Sequence, residues 1–202
     1  MDKINIGLIG LGTVGSGVVK TLSKFDNIQI SKIAVRNITK KRNIEGLDES
    51  ILTDNSYDVV NDSNIQIVVE VMGGVNPALD LIKTAINNGK HIVTANKELL
   101  AKHGDELYAL ANEKNVVILY EAAIAGGIPI IMPIKTILAA NKISQVAGIL
   151  NGTTNYILTK MEELGVSYQE VLAEAQKLGY AETDPTGDVE GFDAAYKIAT
   201  LA

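Results

Sequence analysis

The chain has 202 residues, 47% of them hydrophobic, which is enough for a substantial core and for one domain or one and a half. Its formal net charge of -6 leaves no broad basic face, so we expect no nucleic-acid partner. The absence of cysteine excludes disulfides, thiolate metal sites and catalysis through a thioester.

The first elements have the pattern of a nucleotide-binding unit. The opening MDKINIGLIG lacks the features of a secretory signal, and no run reaches membrane-spanning length, so we expect a cytoplasmic protein without a membrane partner. Residues 3–9 predict a buried strand, and a glycine turn then leads into an amphipathic helix. A second strand is predicted at 28–35, and the continuous apolar run at 65–72 is typical of a parallel strand covered on both faces.

The same alternation continues through the next part of the chain. A helix is predicted from Asn76 to the stop at Gly89, followed by a strand at 91–95, a helix near 105–113 and a strand at 116–120. This order predicts an α/β fold with a Rossmann-like, doubly wound and mainly parallel sheet. We assign residues 1–128 to this first, Rossmann-like domain.

Residues 129–202 predict a second, substrate-binding lobe. Its expected elements are a helix containing Pro133, a strand near 143–150, helices at 153–164 and 168–178, and a last helix beginning near Glu190. One strand cannot make a stable sheet by itself, and the sequence ends within a helical pattern. We therefore expect an incomplete α+β lobe.

Two features point to a dinucleotide. The turn GLGTVG has the GxGxxG spacing, in which glycines permit a tight turn and close approach of pyrophosphate to a helix N-terminus. Its candidate cofactor-binding residues are Gly10, Leu11, Gly12, Thr13, Val14 and Gly15. Arg36 follows the second strand, where arginine suits a 2′-phosphate, so NADP is favoured and NAD stays open. The alternative for GLGTVG is a glycine turn that binds nothing, and the alternative for Arg36 is a solvated basic loop.

Two further positions have both functional and structural interpretations. Lys97 follows a presumed parallel strand at the edge where such sheets bind ligands, although a surface lysine opening a helix would look the same. The corner EAAIAGGIP, from Glu121 to Pro129, could direct carbonyl groups at a monovalent cation, although a glycine hinge explains these residues better.

The end of the chain concentrates charged residues. NGTTNYIL puts Thr153 at a helix N-terminus, where it could cap the helix or bind a carboxylate. Asp193 and Lys197 are four residues apart on one helix face, which by default means an exposed ion pair. If Glu182 and Asp193 face the same cavity as Lys197, they could bind a substrate ammonium while the lysine exchanges a proton with the reacting oxygen.

Taken together, GLGTVG, VVEVMGG, TANKELLAKHG, EAAIAGGIPII, GILNGTTNYIL and LGYAETDPTGDVEGFDAAYK resemble the NAD(P)-dependent homoserine dehydrogenases over nearly the whole chain. The resemblance implies reversible reduction of L-aspartate 4-semialdehyde to L-homoserine, in the biosynthesis of threonine, methionine and isoleucine. It implies that Lys197 is the proton donor and that Lys97 lies beside substrate and nicotinamide. A different small amino-acid aldehyde is the third-ranked alternative.

The resemblance also implies further site residues, which are named here by the function they would have. The substrate-binding residues would be Glu182, Asp193, Asp188, Tyr180 and Thr153, with Gly179 contacting cofactor. A sodium ion would be held by Glu121, Ile124, Gly126 and Ile128, mostly through main-chain carbonyls. Family members form homodimers and continue well beyond the helix of Lys197, so the main alternative is a nucleotide-binding fragment without turnover.

Overall fold

The computed structural model describes residues 3–202 and divides into two compact units. The first unit extends to Ile131, and the second spans Met132–Ala202. The strands of the first unit are β1 (Ile4–Ile9), β2 (Ile28–Ala34), β3 (Leu52–Thr53), β4 (Ile67–Glu70), β5 (His91–Thr94) and β6 (Ile118–Leu119). Its helices are α1 (Thr13–Leu22), α2 (Tyr57–Val60), α3 (Ala78–Asn87) and α4 (Lys97–Glu113), with single 3-10 turns at Glu49–Ile51 and Glu121–Ala123.

The sheet of the first unit is parallel at every strand pair, in the order β3-β2-β1-β4-β5-β6. The chain moves outward from β1 to β3 and then returns to the other side of β1 with β4. This reversal between β1 and β4 is the topological switch point at which doubly wound sheets bind dinucleotides. The predicted Rossmann-like fold of the first domain is confirmed.

The apolar runs form the core of this unit. Leu8, Ile33 and Val68 are fully buried in adjacent strands, because parallel strands are covered on both faces by helices. Helix α3 buries Leu81 and Ile86 on one face, as its sequence period predicts. The helix predicted between Asn76 and Gly89 is therefore confirmed.

The second unit is helical in the described residues. Its helices are α6 (Gly152–Leu164), α7 (Tyr168–Leu178), α8 (Thr186–Val189) and α9 (Phe192–Leu201), preceded by α5 (Ile131–Lys135) at the boundary between the units. Ile157 of α6 packs with Val171 and Ala175 of α7 in a small core. A capping box of Ser167 and Glu170 begins α7, which confirms the helix predicted at 168–178. Within residues 3–202, none of the helices has the length and apolar character needed to cross a membrane.

One prediction about secondary structure was wrong, and one predicted helix is longer than expected. The strand predicted near 143–150 is absent, and Ile143 and Ile149 are exposed, because the described part of the second unit offers this run no strand to pair with. The helix predicted near 105–113 begins at Lys97, because the Asn96 side chain accepts a hydrogen bond from Leu99 N–H and caps it.

Candidate functional site

The glycine turn connects β1 with α1 and combines tight packing with open space. A Cβ on Gly15 would lie 2.2 Å from the Gly10 carbonyl oxygen, and one on Gly10 would lie 2.8 Å from the backbone of Val71. A Cβ on Gly12 would meet nothing within 4 Å. Gly12 is the N-cap of α1 and provides no side-chain cap. The turn therefore leaves room at a helix N-terminus, as a bound pyrophosphate requires.

A cleft of about 590 Å³ opens beside this turn, within the range of small-molecule sites. Of the predicted cofactor residues, Gly10, Leu11, Gly12 and Arg36 line it. Thr13 and Val14 form the first turn of α1, and Gly15 packs beneath the glycine turn. The switch point, the turn and the cleft thus lie together at the carboxyl ends of the strands.

The basic loop after β2 has an internal brace that the sequence analysis missed. Asn37 Oδ1 accepts hydrogen bonds from Thr39 N–H at 2.9 Å and Lys40 N–H at 3.1 Å. The Arg42 guanidinium donates to the carbonyl oxygens of Asn37 and Lys40 at 2.7 and 2.8 Å. Lys40 and Arg42 line the cleft together with Arg36. The KKR run at residues 40–42 indicates a basic loop, but it does not show that Arg42 is the cation that donates hydrogen bonds to the loop backbone.

Lys97 is the first residue of α4 and is partly buried. Two residues separate it from the end of β5, so it lies at the carboxyl edge of the sheet, where the sequence analysis expected it. The preceding residues Thr94 and Asn96 are buried and polar.

The glycine corner after β6 is closed by a side chain. Glu121 Oε1 accepts hydrogen bonds from the N–H groups of Ile130 and Ile131. Between them, Ile124 is buried, Gly126 is left-handed with φ of 60°, and Ile128 is exposed. Within residues 3–202, no group of three or more His, Cys, Asp or Glu side chains could hold a metal ion, so a cation here would depend on main-chain oxygens.

In the second unit, Asn151 joins the acidic residues into one cluster. Its Nδ2 donates to Asp188 Oδ1 at 2.7 Å and to Asp193 Oδ2 at 2.9 Å, and its Oδ1 accepts from Thr154 N–H at 2.8 Å as the N-cap of α6. The sequence analysis missed Asn151, although asparagine before GTT is a strong capping signal. Asn151 therefore holds both Asp188 and Asp193, the two aspartates that the family resemblance implies as substrate-binding residues.

Lys197 belongs to the same cluster. Its Nζ donates to Asp193 Oδ2 at 2.6 Å and to the carbonyl oxygen of Leu150. The side chains of Lys197 and Asp193 are only 19% and 12% exposed, so the default of an exposed surface ion pair does not describe them. A largely buried lysine bonded to the carboxylate of Asp193, which Asn151 links to Asp188, is an arrangement that can bind an ammonium group and exchange a proton.

The remaining predicted residues are near this cluster in sequence but have different contacts. Thr153 Oγ1 donates to the Tyr180 carbonyl oxygen at 2.9 Å. The ring centroids of Tyr180 and Tyr156 lie 4.8 Å apart. Gly179 ends α7 with φ of 80°. Glu182 is exposed, and its backbone carbonyl accepts a hydrogen bond from a glutamine side chain of α7 at 3.0 Å.

The strand order, the glycine turn and the open helix N-terminus define the first unit as a Rossmann-like NAD(P)-binding domain. Residues 10–121 match the family described as homoserine dehydrogenase, NAD binding domain, and residues 129–202 match the family described as homoserine dehydrogenase. The chain belongs to the homoserine dehydrogenase family.

Relatives and solved structures agree with this assignment. The homoserine dehydrogenase of Synechocystis is 50% identical to this chain, and the match covers 98% of this chain and 47% of the relative. That of Bacillus subtilis is 46% identical, and the match covers 100% of this chain and 48% of the relative. The crystal structure of the Thiobacillus denitrificans enzyme superposes with a TM-score of 0.91 at 48% identity, covering 98% of this chain and 48% of that one. The structure of a hyperthermophilic archaeal homoserine dehydrogenase in complex with NADPH superposes with a TM-score of 0.84 at 29% identity. This match covers 98% of this chain and 68% of the archaeal chain. The chain thus spans about half the length of the curated relatives it matches.

Proposed function

We propose that this chain carries out the reversible NAD(P)H-dependent reduction of L-aspartate 4-semialdehyde to L-homoserine, a step toward threonine, methionine and isoleucine. The observation that carries the proposal is the largely buried contact between Lys197 and Asp193, joined to Asp188 through Asn151. Such a site can bind an amino-acid substrate and transfer a proton to its carbonyl oxygen.

The first unit would bind the cofactor, which supplies the hydride when bound. The N-terminus of α1 next to Gly12 would take the pyrophosphate, because its partial positive charge favours phosphate oxygens. Arg36, Lys40 and Arg42, which line the cleft, would favour the 2′-phosphate of NADP. NAD remains the alternative cofactor.

The second unit would bind the substrate through Glu182, Asp193, Asp188, Tyr180 and Thr153. An ammonium Nζ has three N–H donors, and Lys197 Nζ donates to the Leu150 carbonyl oxygen and to Asp193 Oδ2. Its remaining N–H would donate the proton to the aldehyde oxygen as the carbonyl carbon receives the hydride, which yields the alcohol. Lys97 would contact the substrate and the nicotinamide.

Two accessory features complete the proposal. A sodium ion would bind main-chain oxygens in the corner that contains Glu121, Ile124, Gly126 and Ile128. The support is the closed loop, in which consecutive residues Ala125 and Gly126 have left-handed φ values of 59° and 60°. A homodimer is expected from the family resemblance, and light scattering after size-exclusion chromatography would measure it.

The test is oxidation of L-homoserine with NADP or NAD, followed by absorbance of the reduced nicotinamide. Homoserine-dependent reduction that is lost in Lys197→Ala and impaired in Lys97→Ala supports the proposal, and the matched control Lys177→Ala changes an exposed lysine of α7. Turnover that is unchanged in Lys197→Ala removes this lysine from the mechanism. Cofactor binding without turnover in the unmodified chain identifies the second candidate, a nucleotide-binding portion, which the half-length match to the relatives favours.

A further inference from the structure

Glu70 is a fully buried carboxylate that the proposed reaction does not use. It is the last residue of β4, its side chain is 0% exposed, and it pairs in register with Thr94 at the end of β5. Oε1 accepts hydrogen bonds from the N–H groups of Met72 at 2.9 Å and Gly73 at 3.3 Å, and Oε2 accepts from the Thr94 hydroxyl at 2.7 Å. Burying a carboxylate is costly, so its retention at the ligand-binding edge needs a reason beyond packing.

The hydrogen bonds continue from Thr94 to the start of α4. Thr94 Oγ1 accepts from Asn96 N–H at 3.0 Å. Asn96 caps α4 through Leu99 N–H and donates from Nδ2 to the Gly74 carbonyl oxygen at 2.7 Å. Glu70 thus belongs to one network that fixes the loop after β4 and the helix turn that begins with Lys97.

The two sides of the switch point, at the carboxyl ends of the strands, carry different residues. Arg36 and the rest of the basic loop lie on the β2 side of the switch point, which suits the adenosine half of a dinucleotide. The network of Glu70 lies on the β4 and β5 side, which is where the second mononucleotide half binds in this fold. Gly73 and Gly74, with φ of 74° and 73°, leave this loop without Cβ atoms, and none would meet a neighbour within 4 Å.

We propose that Glu70 is a positioning residue for the nicotinamide half of the cofactor. It acts directly on the N–H groups of Met72 and Gly73, and through Thr94 and Asn96 on Gly74 and on the helix turn that begins with Lys97. The inference rests on the proposed cofactor binding by the first unit. Glu70 transfers no proton in this proposal, and its side chain acts by holding the protein groups that donate hydrogen bonds to it.

The test compares two ligands, NADPH and 2′,5′-ADP, which lacks the nicotinamide half. Thr94→Val removes the hydroxyl that links Glu70 to Asn96 and keeps the side-chain shape, and Glu70→Gln keeps an acceptor while removing the charge. Each variant should weaken NADPH binding about five- to tenfold, the size of one lost buried hydrogen bond, and leave 2′,5′-ADP binding unchanged within about twofold. Thr94→Ser retains the hydroxyl and should bind both ligands as the unmodified chain does.

The other outcomes overturn the inference. Equal weakening for both ligands would assign Glu70 a purely structural role, and unchanged NADPH affinity would remove it from cofactor binding. If the variants do not fold, amide NMR on the unmodified chain decides: the Gly73, Gly74 and Lys97 signals should shift with NADPH and not with 2′,5′-ADP, and equal responses would overturn the inference. Glu70→Gln and Thr94→Val variants that bind NADPH as tightly as the unmodified chain contradict this inference alone, whereas an unmodified chain that does not bind NADPH contradicts the proposed cofactor binding itself.

Discussion

The side-chain amide nitrogen of Asn151 lies 2.9 Å from a carboxylate oxygen of Asp193, although the two residues are 42 positions apart. Asn151 begins α6 and Asp193 lies in the first turn of α9, so this bond ties the two helices together at their N-terminal ends. The same oxygen of Asp193 accepts from Lys197. The orientation of the candidate proton donor therefore depends on a helix cap in another part of the unit.

Replacing Asn151 should separate its two functions. Asn151→Asp keeps a good N-cap but places a third carboxylate against Asp188 and Asp193, whereas Asn151→Ala removes both the cap and the bridge. We expect Asn151→Ala to lower the free energy of unfolding by about 1–3 kcal/mol, because partly buried acceptors lose their donor. Chemical denaturation measures this, and Asn155→Ala, within α6, is the matched control. Wild-type stability in Asn151→Ala would contradict a structural role for the bridge.

Two glycines of the same turn should respond in opposite ways to alanine. Gly12→Ala adds a methyl group where nothing lies within 4 Å, so stability should be unchanged while cofactor affinity falls about tenfold or more, because the methyl group occupies the space of the pyrophosphate. Gly15→Ala places Cβ 2.2 Å from a carbonyl oxygen and should destabilise the first unit. Thermal unfolding and NADPH titration of both variants test the pair. Undiminished binding by Gly12→Ala would show that the pyrophosphate lies elsewhere.

Arg36 should determine the choice between the two nicotinamide cofactors. Arg36→Ala is expected to weaken NADPH by about tenfold and NADH by much less, since only NADPH carries the 2′-phosphate that a guanidinium can bind in bidentate fashion. Lys41→Ala is the matched control, because Lys41 is a neighbouring exposed cation that does not line the cleft. Fluorescence titration of the reduced cofactors gives both affinities. An equal loss for NADPH and NADH would assign Arg36 a role unrelated to the 2′-phosphate.

The capping box of α7 should make stability depend on acid. The Ser167 N–H and hydroxyl lower the pKa of Glu170 below its usual value of 4.5. The unfolded chain therefore binds the proton more readily, so this contribution to stability is fully present above pH 4.5 and is lost as the pH falls through the lower folded-state pKa.

Thermal unfolding of the chain and of Glu170→Gln between neutral and acidic pH measures this contribution. The difference between the two midpoints should shrink on acidification. Glu162→Gln, which replaces an exposed glutamate of α6, is the matched control. A pH-independent difference would show that charge in the capping box does not contribute.

Several features could be predicted because their physical causes are local in sequence. Helix α7 begins at the Ser167 capping box and ends at Gly179, and both signals lie within a few residues of the backbone groups they satisfy. Five of the six strands of the parallel sheet were recognisable because burial on both faces requires continuous apolar runs such as Ile67–Val69. The two-residue strand β3 was not predicted. The glycine turn was recognisable because only glycine tolerates the close approach between Gly15 and Gly10.

Contacts between distant segments decided the rest. The run at 143–150 has the composition of a strand, but a strand exists only when another strand accepts its hydrogen bonds, and the described part of the second unit has none to offer it. The bonds that link Asn151 to Asp188 and Asp193, and Glu70 to Thr94, could not be predicted from the sequence, since these partners lie tens of residues apart. The sequence by itself determined most strands and helices, the helix caps and the glycine turn. The tertiary structure alone determined which buried polar groups share a hydrogen bond. That choice depends on how helices and strands pack, because a buried donor or acceptor must find its partner wherever the fold brings one within reach.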